Sequence, residues 1–451
     1  MKSYNFTSKE WESCLKVLSE LKDKPLDNPD NQTFGTLISK IHKNAKKQNR
    51  SSSYKAKRTH DLQILKSSKI AQNALNNTTE YNGFTRTEQS YETINIPKNC
   101  YSCNAPYNEV HSFYNRLCPT CAELNYANRF ASVDLSSRNV IITGGRVKIG
   151  YATALRFLRS HANVLVTTRF PASALALFKK EKDYNAWSGN LTIYGLDLKH
   201  LKSVEDFISY YTSHHDSLDI LINNAAQTIK YSDQYYEPIV KNEQELLLNY
   251  GPSQQLIENK TPIIQNRQAL ASVSDLELKL NRFGQPVDLS SKNSWNSTLE
   301  DVSMYELVEV NLINQISPYF LIKELTPLMK ASAFKQKFII NVTSSEGQFS
   351  YTNKTVFHPH TNMTKAALNM LTRTSAKEYE GYNICMSAVD VGWVSTGAIE
   401  SLREKQYECG YIPPLDPVDG ASRIIHPIIE TLTHQKKLAG KLLKNYRVES
   451  W

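Results

Sequence analysis

From about residue 138 to its end, the chain alternates two hydrophobic patterns. Short apolar runs, NVIIT (139–143), NVLVTT (163–168), LTIYGLDL (191–198), LDILINNAA (218–226), KFIINVT (337–343) and NICMSAVDV (383–391), predict buried strands. Segments with helical periodicity lie between them, at 149–160, 201–213, 304–329 and 362–379. In the first of these, Ala152, Leu155, Phe157 and Leu158 form the inward face. Strands apolar on both faces and separated by helices predict an α/β fold, a doubly wound parallel sheet covered on both sides. A ligand is then expected at the carboxyl ends of the strands, where the strand order reverses.

Residues 1–99 are different in kind: rich in Asn, Lys and Ser, and poor in aliphatics. Helices are expected over 8–22, where Trp11, Leu15, Leu18 and Leu21 share a face, and over 33–47. The stretch 50–93 shows little periodicity and is expected to be mostly extended or mobile. The organisation expected is a polar, partly helical region (1–99), a cysteine-bearing segment (100–130) and the α/β domain (135–451), enlarged by an insertion at about 228–301. No internal repeat is present.

Composition narrows this. The 451 residues are 40% hydrophobic and 10% aromatic, enough for a packed core. No apolar run reaches the roughly 18 residues of a membrane-spanning helix. The first residues, MKSYNFTSKEWESCLKVL, lack the apolar stretch of a secretory signal. Seven cysteines in this length do not suggest a disulfide scaffold, so a reducing, cytoplasmic setting is expected. The net charge is +9, and seven of its cations (Lys43, Lys46, Lys47, Arg50, Lys55, Lys57 and Arg58) crowd into 41–60 without an acid. Tyr54 is the only aromatic among them, and no nucleic-acid-binding module surrounds them. A solvated arm is the reading adopted, and no nucleic-acid partner is expected.

Four of the cysteines form two pairs, Cys100-x2-Cys103 and Cys118-x2-Cys121, separated by fourteen residues. Two such knuckles can place four thiolates tetrahedrally, which suits a closed, structural Zn²⁺ site. Disulfides or a redox pair are the alternatives. Cys14, Cys385 and Cys409 are left as inert thiols.

The first strand runs into Thr143-Gly144-Gly145-Arg146-Val147-Lys148-Ile149-Gly150. A glycine turn between strand and helix brings backbone close to a pyrophosphate and aims helix N-terminal amides at it. Four landmarks follow in order: Asp197-Leu198, Asn223-Asn224-Ala225-Ala226, Asn-Val-Thr-Ser-Ser (341–345) and Val-Gly-Trp-Val-Ser-Thr (391–396).

This series resembles the short-chain dehydrogenase/reductase family over roughly residues 138–451. The resemblance implies nucleotide-binding roles for Thr143, Gly144, Ile149 and Gly150 in the turn, Asp197 and Leu198 at the adenine ring, Asn223 and Ala225 at the fourth strand end, and Gly392 and Thr396 over the nicotinamide. Lys148 stands where the family's middle glycine is usual, and Val391 where proline is usual. An acid at the end of the second strand would repel a 2′-phosphate. That end carries Arg169, and Arg146 lies in the turn, so NADP(H) is the expected cofactor.

The family's reaction centre uses Asn, Ser, Tyr and Lys. The resemblance places these roles at Asn311, Ser344 (Ser345 as alternative) and Lys365, which it also implies holds the cofactor ribose, with the tyrosine position taken by Thr361. A tyrosine hydroxyl, with a pKa near 10, can be pulled toward neutrality by a lysine; an aliphatic hydroxyl cannot. Tyr351, His358 and His360 are the nearby substitutes, and His360 joins the catalytic set. HPHTNMxK, TGGRVKIG and GKLLKNYRVESW together look like a divergent branch of the family. The expected function is an oxidoreductase transferring hydride between NADP(H) and a small carbonyl or alcohol substrate. The alternative is a catalytically weak, NADP(H)-binding scaffold or sensor acting through its zinc ribbon and insertion. A protein partner at the insertion and a homo-oligomer fit either reading.

Overall fold

The computed structural model describes residues 4–81, 86–250, 255–257, 279–352 and 354–451. The chain divides into two compact units, Met1–Gln63 and Ile64–Trp451.

In the first unit, α1 (Ser8–Leu21) starts at a capping box. The Thr7 hydroxyl accepts from the Glu10 N–H, and the Glu10 carboxylate accepts from the Thr7 N–H at 2.7 Å. Next, α2 (Asn31–Ser67) runs far beyond the expected 33–47, and α3 (Lys69–Leu75) follows it. The expectation that 50–93 is mostly extended or mobile is thus corrected. No Gly or Pro interrupts 36–81. Ile64, Leu65, Ile70 and Ala71 are buried in the second unit, so tertiary packing supplies what weak periodicity lacks. The seven cations of 41–60 lie exposed along α2.

After α3, the second unit continues with an antiparallel pair, β1 (Tyr91–Asn99) and β2 (Pro106–His111), followed by α4 (Pro119–Phe130). The α/β domain then runs β3 (Asn139–Thr143), α5 (Lys148–Leu158), β4 (Asn163–Thr168), α6 (Pro171–Phe178), α7 (Tyr184–Trp187), β5 (Leu191–Gly195), α8 (Leu201–His214) and β6 (Ile220–Asn223). It continues with α9 (Asp233–Tyr250), β7 (Leu256–Ile257), α10 (Met304–Asn311), α11 (Ser317–Ala331), β8 (Lys337–Thr343), α12 (Pro359–Glu380), β9 (Ile384–Asp390), α13 (Glu400–Glu408), α14 (Pro417–His434), β10 (Leu442–Lys444) and β11 (Arg447–Glu449). Its sheet has the order β11-β10-β9-β8-β6-β3-β4-β5-β7, parallel throughout except for the β10–β11 pair.

Side-chain alternation builds two cores. Val140, Ile142, Val164 and Val166 face α5 and α14; Ile141, Leu165, Leu221 and Ile339 face the layer holding α8, α11 and α12. Full burial of each such side chain contributes about 1.5–3 kcal/mol. Strand order reverses between β3 and β6, so the crevice opens at their carboxyl ends. One further expectation changes. The helix expected over 304–329 is split by a π-turn at Leu312–Ile316. The insertion also carries regular structure: α9 packs on α6, and β7 extends the sheet beside β5.

Candidate active site and cysteine cluster

The crevice is closed by hydrogen bonds within its own walls. The Thr143 hydroxyl accepts from the N–H groups of Asn224 and Ala225, each at 3.0 Å. The Asn224 amide donates to the carbonyls of Thr143 (3.0 Å) and Gly144 (3.3 Å). Gly150 must be glycine, because a Cβ there would lie 2.0 Å from the Gly144 oxygen. Lys148, at the usual middle-glycine position, begins α5 with φ +54°. That left-handed backbone is why glycine is the easy residue here, and the chain accepts strain to hold a cation. Ile149 packs between α5 and α14, where a Cβ on Gly420 would press on it at 2.9 Å.

Cations gather around this turn. The Arg146 and Arg169 guanidinium groups sit 5.1 and 5.6 Å from the Phe170 ring, and Arg169 donates to the Tyr236 hydroxyl at 3.2 Å. Lys148 Nζ and Arg282 lie 5.3 and 4.8 Å from the Phe283 ring. Among the described residues, none of these four cations has a carboxylate within ion-pair distance. Burial, reinforced by Arg169, lowers Arg146 to about 10; burial, then Arg282, Arg146 and Arg403, lowers Lys148 to about 8. Cations this little exposed and not ion-paired form a cradle for an anion, and the phosphates of a dinucleotide fit its chemistry. Motif reading alone identified neither Phe170 nor the Arg282–Phe283 pair. The pair lies in the insertion, where no family landmark points to it. Glu243, on α9, caps α6 by accepting from the Ala172 and Ser173 N–H groups.

The remaining expected nucleotide residues flank the same crevice. Asp197 is buried, accepts from the Lys199 N–H at 3.1 Å and lies 3.7 Å from Lys199 Nζ. The Leu198 carbonyl accepts from Ser317. Asn223 donates to Asn341 at 2.8 Å, tying β6 to β8. Gly392, at φ +77°, donates its N–H to Asp390 at 2.8 Å, and the Thr396 hydroxyl accepts from the Ala398 N–H.

At the reaction centre, Lys365 donates to the Val342 carbonyl at 2.9 Å, and burial lowers it to about 8. Ser344 ends β8. The alternative, Ser345, has its hydroxyl occupied by Asp390 (3.0 Å) and Lys444 (3.0 Å). Asn311 closes α10, its amide donating to the Leu307 carbonyl and its oxygen accepting from Gln315. Thr361 is buried, and its hydroxyl donates to the His358 carbonyl at 2.9 Å. The buried ring of His360 lies 3.2 Å from Glu306 of α10, without hydrogen-bond alignment. His358, at φ +42°, stacks on Trp295 of the insertion and faces Asn362 at 3.0 Å. Tyr351 lies under Lys444, outside this group.

The four knuckle cysteines converge. Their Sγ atoms all lie within 4.8 Å of one another, Cys103 and Cys118 being 3.7 Å apart, and none is disulfide-bonded. Tetrahedral Zn–S bonds of about 2.3 Å put sulfurs about 3.8 Å apart, so the donor set fits such an ion. No helix among the described residues is long and apolar enough to cross a membrane.

Two segments match family models: residues 138–246 the one described as short chain dehydrogenase, and 289–410 the one described as enoyl-(acyl carrier protein) reductase. The gap between them falls in the expected insertion. Uncharacterized protein R665 of Acanthamoeba polyphaga mimivirus is 33% identical over 342 residues, covering 73% of this chain and 71% of that protein. Mouse retinol dehydrogenase 14 is 26% identical over 178 residues, 36% of this chain and 51% of that protein. The NADPH-bound carbonyl reductase from chicken fatty liver superposes with a TM-score of 0.44 at 20% identity, covering 70% of this chain and 100% of that one. The chain belongs to the short-chain dehydrogenase/reductase family.

Proposed function

We propose that this chain is an NADP(H)-dependent oxidoreductase acting on a small carbonyl or alcohol. The observation that carries the reading is the cationic cradle: buried Arg146 and half-buried Lys148 and Arg169 gather at the glycine turn, none of them in an ion pair with a carboxylate among the described residues. Arg146 and Arg169 would hold the 2′-phosphate, and Lys148 with the α5 N-terminus the pyrophosphate. NADPH held there would supply hydride to the carbonyl carbon. Ser344 orients the carbonyl oxygen, and that oxygen takes a proton to complete the alcohol. Thr361 does not deliver it, since its hydroxyl proton is held by the His358 carbonyl. The Lys365 ammonium, held near 8, is an acid of suitable strength at the right helix position. The four knuckle cysteines hold a structural zinc, and the protein works in the cytoplasm.

One observation favours a second reading. The engaged Thr361 hydroxyl and enclosed His360 leave the tyrosine's task without a direct heir, as in a weakly catalytic NADP(H) sensor. NADPH-consuming turnover on a panel of aldehydes and ketones separates the two. The enzyme reading expects turnover that Lys365→Met abolishes and that falls as pH rises through about 8. A wild-type chain that binds NADPH but turns nothing over, while Thr361→Tyr does, establishes the sensor.

A further inference from the structure

The cysteine module is packed onto the loop expected to cover the nicotinamide. Tyr101, between the ligands Cys100 and Cys103, accepts the Trp393 N–H on its hydroxyl at 2.7 Å. The Tyr101 N–H is itself held by the Arg116 carbonyl at 2.9 Å, and the Arg116 guanidinium lies 5.2 Å over the Trp393 ring. Val394 is buried in the module's own core, with Cys100, Tyr107 and Cys118. A Cβ on Gly392 would meet Leu415 at 2.6 Å and the Tyr101 hydroxyl at 3.4 Å, so this loop has one seat, and the module forms a wall of it. Residues 391–398 carry no regular structure of their own, and backbone of that kind is ordered only by what it packs against.

We infer that Tyr101 is a positioning residue through which the metal-loaded cysteine knuckle sets the affinity for NADP(H). The inference rests on the NADP(H) reading above. An ion across Cys100 and Cys103 fixes the two residues between them, which places the Tyr101 hydroxyl under the Trp393 N–H. A loop already seated costs the cofactor no ordering on binding. Coupling of this kind is reciprocal: what metal does for NADPH, NADPH does for metal.

The test uses the full chain and three measurements. Tyr101→Phe removes only the hydroxyl. It should retain one zinc per chain, while the NADPH dissociation constant from calorimetry rises about fivefold or more, the worth of one hydrogen bond. Tyr107→Phe is the control. Its hydroxyl bonds the Asn115 carbonyl inside the module. It should lower thermal stability comparably and leave the NADPH constant within about twofold. In wild type, saturating NADPH should shift a zinc competition titration with a chelating dye toward tighter metal binding. Equal effects of the two Phe variants on NADPH affinity, or a zinc titration unmoved by NADPH, overturn the coupling. If Tyr101→Phe does not fold, the wild-type zinc titration decides alone. A wild-type chain that binds no NADPH overturns the underlying reading instead, so the two failures are distinguishable.

Discussion

The indole of Trp295 stacks on the imidazole of His358, ring centroids 4.7 Å apart and planes 30° from parallel. Trp295 belongs to the insertion and His358 immediately precedes α12, the helix carrying Thr361 and Lys365. A Cβ on Gly397 would also strike Trp295 at 2.8 Å, so the indole lies between the reaction-centre helix and the loop after β9. Burial lowers the His358 pKa. Trp295→Ala should let it rise toward the ordinary value near 6.5, read from the ring-proton shifts in an NMR titration. An unchanged His358 titration shows that the indole does not shield that ring.

Lys148 gives a pH signature to cofactor binding. In the free chain it titrates near 8, lowered by burial and by Arg282, Arg146 and Arg403. A phosphate placed beside it favours the ammonium and raises that value. Between about pH 8 and 9, NADPH binding should therefore take up protons, and affinity should weaken as pH rises through 8. Calorimetry in two buffers of different ionisation heat counts the protons. Lys148→Met should abolish the uptake; release in place of uptake contradicts the assignment.

Gly150→Ala should damage fold and cofactor binding together. The added methyl would lie 2.0 Å from the Gly144 carbonyl and 2.6 Å from the Asn224 amide. Relieving that overlap pushes α5 off the glycine turn, at a cost of about 1–3 kcal/mol. Denaturant unfolding and NADPH calorimetry should both register it. Full stability with full affinity means that the turn is looser than its contacts imply.

Arg129 fastens α4 to α14. Its guanidinium contacts Asp416 at 2.7 Å and Asp419 at 3.0 Å, and the Tyr114 hydroxyl donates to Asp419 at 2.7 Å, all with little exposure. Arg129→Met leaves two buried carboxylates without their cation and should cost about 3–5 kcal/mol. The sign of the pH dependence follows. Without Arg129 the aspartates titrate above their unfolded values, so the variant's deficit is full at neutral pH and shrinks as pH falls toward 4. Denaturant midpoints at pH 7 and pH 5 test this, and a deficit growing on acidification contradicts it.

Six buried strands were readable because each is a short apolar run, and burial on both faces leaves that mark on the chain. The glycine turn and its ordered landmarks were readable because tight backbone approaches admit few residue types. Helix 50–67 was not, because its stability comes from burying Ile64 and Leu65 beyond its polar stretch. The π-turn at 312–316 was hidden because it leaves apolar periodicity nearly intact. The Arg282–Phe283 pair was hidden because nothing local says that it folds against Lys148.

The sequence alone determined the sheet, the crevice at its switch point and four cysteines at metal-binding spacing. These follow from periodicity and from glycine and cysteine spacing, which act within a few residues. Only the tertiary structure decided that the cations of the glycine turn form no ion pair among the described residues, that the Thr361 hydroxyl is bound to His358, and that Tyr101 reaches Trp393. Those contacts join residues far apart in the chain or depend on where one side chain points, and the packed fold fixes both.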